Sequence, residues 1–243
     1  MYGDKLCSLR QSGDIDIYLE GGYKKVIDYA NRTFPTKDVN ELEIHYHCFN
    51  DVEVEIHYKP FVMDSPKDRL LQKYFNRSLE ANYKNTILLF SDYAITALTF
   101  SFNIVHQLVH IHHHLFYEGV GLRQCMDYYF VLRNLNLDLN VNHNTNATFR
   151  SFGMERFAEA AMWIMQQVFG LKPEYLLCEP SEKYGRVLLN EVIRSGNFGH
   201  QDERVKRRQN ESAIHRFWRI GVYNCRVMSF SPWMVICSPL WRL

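Results

Sequence analysis

The chain has 243 residues, of which 47% are apolar, 23% charged and 14% aromatic, proportions that exclude collagen-like, fibrous and disordered classes. A chain of this length buries roughly 70–75% of its unfolded surface, so it folds without disulfides or metal, as one large domain or two small ones. Twenty-eight basic against 27 acidic residues leave a net charge of +1, which argues against a dedicated nucleic-acid or membrane-surface binder.

From the N-terminal side, residues 14–19 alternate polar and apolar, the period of a half-buried strand. Gly21-Gly22 breaks the strand, and residues 23–32 carry Val26, Ile27, Tyr29 and Ala30 at helical spacing, with Pro35 just beyond. Residues 43–49 and 52–58 are two more alternating segments around Asn50-Asp51, a hairpin signal, and Pro60 closes the sheet.

Beyond residue 65 the pattern turns helical. Ser65-Pro66-Lys67-Asp68 reads as an N-cap with proline at the first helical position. Residues 92–117 form a long helical stretch rich in Leu, Ile, Phe and His; Gly119 and Gly121 interrupt it and 122–133 resume it. Residues 134–146 hold six asparagines and read as a loop. An amphipathic helix over 149–169 ends at Gly170, and 181–194 and 203–229 read as two more. The outline is α+β, a small mixed β-sheet domain over 1–62 followed by a mainly helical domain over 63–243.

The six cysteines (Cys7, Cys48, Cys125, Cys178, Cys225, Cys237) have neither C-x-x-C spacing nor a zinc pattern, and read as reduced thiols of an intracellular protein. The N-terminus has no apolar stretch of a signal peptide, and apolar runs break before the ~18–20 residues of a membrane span. The expectation is a cytoplasmic protein with no membrane partner.

The chemistry concentrates in Ser12-Gly13-Asp14-Ile15-Asp16. On a strand, Asp14 and Asp16 share a face about 6.6–7 Å apart. Side-by-side carboxylates repel, so the pair is stable when hydrated or when a hard divalent cation bridges it. Glu53, Glu55 and His57 alternate on the second strand of the hairpin, opposite Val52, Val54 and Ile56. If that strand lies beside the Asp strand, a glutamate completes a three-carboxylate cluster suited to two cations and in-line displacement at phosphorus. A solvated strand face is the alternative.

Gly13-Asp14-Ile15-Asp16, a following helix and Val54-Glu55-Ile56-His57 resemble the polymerase-beta-type nucleotidyltransferase superfamily. Within it, the chain is similar to an uncharacterised bacterial nucleotidyltransferase family with an R-x-x-G-D-I-D start, an acid-apolar-His strand and a His-rich helix. Arg10 to Asp16 fit the first. Glu55-Ile56-His57 fit the second, with Glu where Asp is usual. His106 to His114, Gly121-Leu122-Arg123 and Asp127 fit the third, and Gly196-Asn197-Phe198-Gly199 is also family-like. The resemblance implies transfer of a nucleotidyl group from a nucleoside triphosphate to an acceptor, here an unidentified small-molecule hydroxyl. It implies two Mg²⁺ ions on Asp14 and Asp16, one of them shared by Glu55, which helps deprotonate the acceptor.

One departure stands out. The superfamily has an apolar-Gly-Gly/Ser turn upstream that cradles triphosphate, whereas Tyr2-Gly3-Asp4 sits at that spacing here. Either an N-terminal segment is missing, or Ser12-Gly13 takes that role, or activity is lost and the chain is a nucleotide- or protein-binding relative.

Arg10, Ser12, Gly13 and Lys59 are candidates for binding the nucleotide, with solvation as the alternative for the cations. His106, His110 and His113 fall on one helix face at i, i+4, i+7, with His112 and His114 off it. They offer a zinc site for a His-dependent metallohydrolase, or, on the resemblance, His106 and His110 contact phosphate or acceptor. Arg123 and Asp127 either pair on an exposed helix face or serve the acceptor. His57 is expected in the acceptor or supporting shell. Arg204 to Arg208, with Arg216, Arg219 and Arg226, read as a solvated helix face, with RNA as a partner not expected. Trp233 and Trp241 read as core or a dimer contact.

Overall fold

A computed structural model of the chain describes residues 13–33, 38–46, 49, 52–82, 86–89, 93–117, 119–134, 139–196, 202, 204 and 212–241. By its internal contacts the chain divides into two compact units, Tyr2–Val62 and Met63–Leu243. The architecture is α+β, with a three-stranded mixed sheet in the first unit and helices dominating the second.

The first unit runs β1 (Ile15–Tyr18), α1 (Gly22–Thr33), β2 (Glu43–His45) and β3 (Val54–His57). The strand order is β1-β3-β2, with β1 parallel and β2 antiparallel to β3. Alternation drives this arrangement: Val54 and Ile56 of β3 and Ile44 of β2 turn one way and bury against Val26 and Ala30 of α1, with Tyr58. Each such aliphatic side chain contributes roughly 1.5–3 kcal/mol by leaving water. The polar residues between them therefore share the opposite face. β1 is less covered than its alternation suggests, because α1 packs on β2 and β3. Ile15 and Ile17 stay 46% and 40% exposed at the sheet edge.

Asn40 sets the start of β2. Its Oδ1 accepts hydrogen bonds from the Leu42 and Glu43 amides at 2.8 and 3.1 Å, and its Nδ2 donates to Glu43 Oε1 at 2.7 Å. An asparagine turn of this kind gives the chain local hydrogen bonds before the ladder begins. The Asn50-Asp51 turn of the expected hairpin lies outside the described residues.

The second unit contains α2 (Asp68–Asn82), a hairpin of β4 (Thr86–Leu89) and β5 (Tyr93–Thr96), and then α3 (Phe100–Tyr117) and α4 (Leu122–Arg133). α5 (Leu139–Phe152), α6 (Glu155–Gln167), α7 (Glu182–Ser195), α8 (Ala213–Cys225) and α9 (Pro232–Trp241) follow. α3 is its buried axis, with Ile104, Leu108 and Leu115 fully enclosed. Asp64 ties its elements together by accepting from Tyr117 Oη of α3 and, at 2.9 Å, from Ser238 Oγ of α9.

Several expected boundaries are corrected. α2 begins at Asp68 because residues 66–67 form a turn, in which the Lys67 amide donates to Ser65 Oγ and the Asp68 amide to Ser65 O. The start of the expected 92–117 helix is the strand β5, paired antiparallel with β4 from Thr86↔Thr96 to Leu89↔Tyr93. A short apolar run suits strand and helix alike, and pairing decided between them.

The asparagine-rich stretch is partly helical. Thr145, Phe149 and Phe152 bury at i, i+4 and i+7, and that packed face outweighs poor intrinsic propensity. The helix expected over 149–169 is two helices. Gly153, at φ +74°, closes α5 as its amide donates to Arg150 O, while the Met154 amide donates to Phe149 O. Where a helix was expected over 203–229, α8 begins at Ala213, capped by Ser212 Oγ; residues 205–211 lie outside the described residues. Trp233 is 56% exposed on α9, so it is not core.

Among the described residues, no helix is long and apolar enough to cross a membrane. Cys125, Cys178, Cys225 and Cys237 are free thiols. Burial pushes the Cys125 and Cys178 thiols up to about 12, which makes them poor nucleophiles.

Candidate functional site on the sheet face

The register of three short strands builds the site. β1 and β3 set Asp16 opposite Glu55, and β2 and β3 set Glu43 opposite His57 and His45 opposite Glu55. Directly opposed side chains in a sheet lie about 4.5–5.5 Å apart at Cβ, so five titratable groups crowd one face.

His57 is at the centre and is only 8% exposed. Its Nε2 lies 2.9 Å from Asp16 Oδ1 and 3.7 Å from Glu55 Oε2, and its Nδ1 lies 3.2 Å from Glu43 Oε2. Burial alone would lower its pKa, but the bonds to Asp16 and Glu55 and the charge of Glu43 outweigh it and raise the imidazole to about 10. His57 is thus a built-in cation among carboxylates. Nδ1, although buried, makes no hydrogen bond in its position beside Glu43.

His45 forms a second focus. Its Nδ1 lies 2.7 Å from Glu53 Oε1 and 3.6 Å from Glu55 Oε1, and its Nε2 lies 3.9 Å from Glu43 Oε1. Burial lowers its pKa, while Glu53, Glu55 and Asp38 raise it to a higher net value. For Glu55, the contact with His57 pulls the pKa down, but burial and the charges of Glu43, Asp16 and Asp14 leave it above the ordinary carboxylate range. The face therefore carries more negative charge than its imidazoles offset.

Two groups of three residues bring ligand atoms within 4.8 Å of one another, Asp16–Glu55–His57 and Glu43–His45–Glu55, with Glu55 common to both. Among the described residues these are the groups with metal-ligand convergence, and both lie on the sheet.

The sequence-expected residues distribute as follows. Asp16, Glu55 and His57 come together. Asp14 stands exposed just before β1, close enough for its charge to act on Glu55. Gly13 precedes it, and Lys59 is exposed beyond β3. Arg10 and Ser12 lie outside the described residues. Glu43 and His45 were missed, although Glu43-Ile44-His45 has the same acid-apolar-His alternation as Glu55-Ile56-His57.

His106, His110, Arg123 and Asp127 belong to the helical unit. The histidine row on α3 runs His106, His110, His114, with ring centroids 6.2 and 4.4 Å apart and His110 Nε2 hydrogen-bonded to His114 Nε2. His113, expected on that row, instead stacks on Tyr117 with centroids 4.1 Å apart. His112 is buried with Nε2 2.9 Å from Ser231 Oγ. Asp127 is buried and so does not lie on an exposed helix face.

Arg204 and Arg226 of the basic stretch are not on a solvated face. Arg204 Nη2 lies 2.7 Å from Asp202 and 3.0 Å from Glu191, and Arg226 Nη1 lies 3.1 Å from Glu191. Arg226 also lies over the Tyr223 ring, 3.8 Å from its centroid. These guanidinium groups are held by internal carboxylates.

No curated protein and no solved structure matches the chain. A family model described as an uncharacterised nucleotidyltransferase matches residues 2–170, and the chain belongs to that family.

Proposed function

We propose that this member of a nucleotidyltransferase family moves a nucleoside monophosphate from a nucleoside triphosphate to a hydroxyl of a small acceptor, with Mg²⁺. The observation that carries the reading is the parallel register of β1 and β3, with Asp16 opposite Glu55. The donor chemistry fits a hard cation: Asp14, Asp16 and Glu55 offer carboxylate oxygens on one face, where, against the downward pull of His57, burial and then the charges of Glu43, Asp16 and Asp14 raise the Glu55 pKa. Asp14 and Asp16 would hold two Mg²⁺ ions and Glu55 one of them. Bound there, the ions supply charge stabilisation at the attacking and leaving oxygens.

The chain's own groups do the rest. The acceptor hydroxyl attacks the α-phosphorus, and its O–P bond forms as the bond to pyrophosphate breaks. Glu55, with its raised proton affinity, takes the hydroxyl proton. His57, touching both Asp16 and Glu55, holds the two carboxylates on one face. Gly13 admits phosphate close to the backbone, and Lys59, Arg10 and Ser12 bind the triphosphate. Acceptor contacts fall, by family resemblance, to His106, His110, Arg123 and Asp127.

The test is thermal stability with each nucleoside triphosphate, with and without Mg²⁺, for the wild type and Asp14→Asn/Asp16→Asn. Ligand at 100 times its Kd stabilises by about 2.7 kcal/mol. A Mg²⁺-dependent rise lost in the double variant supports the reading. No rise with any triphosphate favours the second one, a catalytically inactive relative. The observation behind that second reading is Asp4, where the superfamily turn has Gly or Ser to receive phosphate.

A further inference from the structure

We infer that the outer faces of α8 and α9 form a docking surface for a second copy of this chain, related to the first by a two-fold axis. The surface stands apart from the nucleotidyl-transfer reading, because α8 and α9 lie outside residues 2–170, which the family model matches.

Both helices are apolar on the side that faces away from their core. On α8, Ile214, Trp218 and Val222 recur at i, i+4 and i+8, and on α9, Trp233, Ile236 and Leu240 recur at i, i+3 and i+7. Each set therefore lines one side of its helix. All six are between 56% and 72% exposed. The inner sides are filled by other residues, Ile220 and Tyr223 on α8 and Met234 and Val235 on α9. A helix that is apolar all round is one covered on both sides.

The two stripes make one surface. α9 packs along α8 after the turn at 226–231, and a Cβ on Gly221 would lie 3.9 Å from Pro239 Cγ. A short connection between packed helices makes them antiparallel neighbours. At 3.6 residues per turn, each of the six lies roughly 20–120° round from its seam residue, Gly221 or Pro239, in the same rotational sense. On antiparallel helices the same sense leads to the same side.

The area suits a dimer. Together the six side chains present on the order of 800 Å² to solvent, the share each partner contributes to a standard interface. An ordinary monomer leaves a largest apolar patch of only about 300–600 Å².

The charge pattern favours a protein surface over a lipid one. Helices that lie on membranes flank the apolar side with exposed Lys and Arg. α9 has no charged residue, and Arg216 and Arg219 of α8 are only partly exposed. Interface centres are instead rich in aromatic residues and poor in charge, as Trp218 and Trp233 make this face. Two copies related by a two-fold axis would stack α8 and α9 on their counterparts, each stripe covering the other.

The experiment is sedimentation equilibrium of the full chain across a dilution series. Twice the chain mass is expected, falling to one chain on dilution. Trp218→Glu and Ile236→Glu should each raise the dissociation constant at least about 100-fold, because a two-fold interface carries every substitution twice. Val168→Glu, which places the same charge on an exposed apolar position of α6, should leave the dimer intact. Wild-type Tm should rise with chain concentration, and that of Trp218→Glu should not. Circular dichroism spectra that match the wild type establish that the variants fold.

A wild type of single-chain mass at every concentration overturns the inference, and so does a dimer that survives both Trp218→Glu and Ile236→Glu. A monomer that binds phosphatidylglycerol vesicles, and loses them in Trp218→Glu, also overturns it and makes the face a membrane contact.

Discussion

His57 holds Asp16 across 41 positions of sequence, with Nε2 2.9 Å from Oδ1. That contact converts three short strands into one charged surface, because the same ring also meets Glu55 and Glu43. It has a consequence for pH. The folded chain holds the His57 proton up to about 10, against an ordinary value of 6.5. Between those values the folded state binds a proton that the unfolded state lacks. The stability contributed is fully present below about pH 6.5 and is lost as pH rises towards 10. Wild-type stability should fall by up to roughly 1.4 kcal/mol per pH unit in that window, and His57→Gln should flatten the slope. Urea melts from pH 6 to 10 check this, and equal slopes would count against the ion-pair assignment.

His112 should behave oppositely. It is fully buried against Phe116 and Phe157, and burial lowers its pKa to about 3. Between pH 3 and 6.5 the unfolded state binds the extra proton, so this contribution is present above about 6.5 and is lost as pH falls towards 3. His112→Gln should reduce the acid sensitivity of melts between pH 6.5 and 4 while lowering stability at pH 7. An unchanged acid profile would contradict a neutral buried ring.

Gly185 of α7 allows the Trp163 ring to lie on the helix backbone, since an added Cβ would come within 2.4 Å of Trp163 Cε3. Gly185→Ala gains helix propensity but overpacks this contact. A net loss of about 1–3 kcal/mol is expected from denaturant midpoints, and a stabilised variant would mean that α6 and α7 separate at little cost.

Glu191, 6% exposed, receives both Arg204 and Arg226. Removing it leaves a buried guanidinium uncompensated, so Glu191→Ala should cost about 3–5 kcal/mol. Arg216→Ala, further along α8, should change stability by less than about 0.5 kcal/mol. Comparable losses in the two variants would show that the cluster is not a structural clasp.

Much of this was legible in the sequence. The two-residue period put Glu55 and His57 on one face and Val54 and Ile56 on the other, and glycines marked the start of α1, the break between α3 and α4 and the end of α6. Period alone could not tell strand from helix at Tyr93–Thr96, where pairing with Thr86–Leu89 decided. The asparagines of residues 139–146 suggested a loop until the burial of Thr145, Phe149 and Phe152 made a helix of them.

The chain's own pattern, then, determines which residues share a face, because side-chain direction follows local backbone geometry within two to four positions. It also carries the family, since Gly13-Asp14-Ile15-Asp16 and Glu55-Ile56-His57 are local motifs. Only the tertiary structure decided which faces meet. The order β1-β3-β2 brings Glu43 and His45 beside Glu55 and His57, and no local spacing encodes that neighbourhood. Strand order and register are set by which apolar faces bury together against α1, a long-range energy to which each strand contributes only its share.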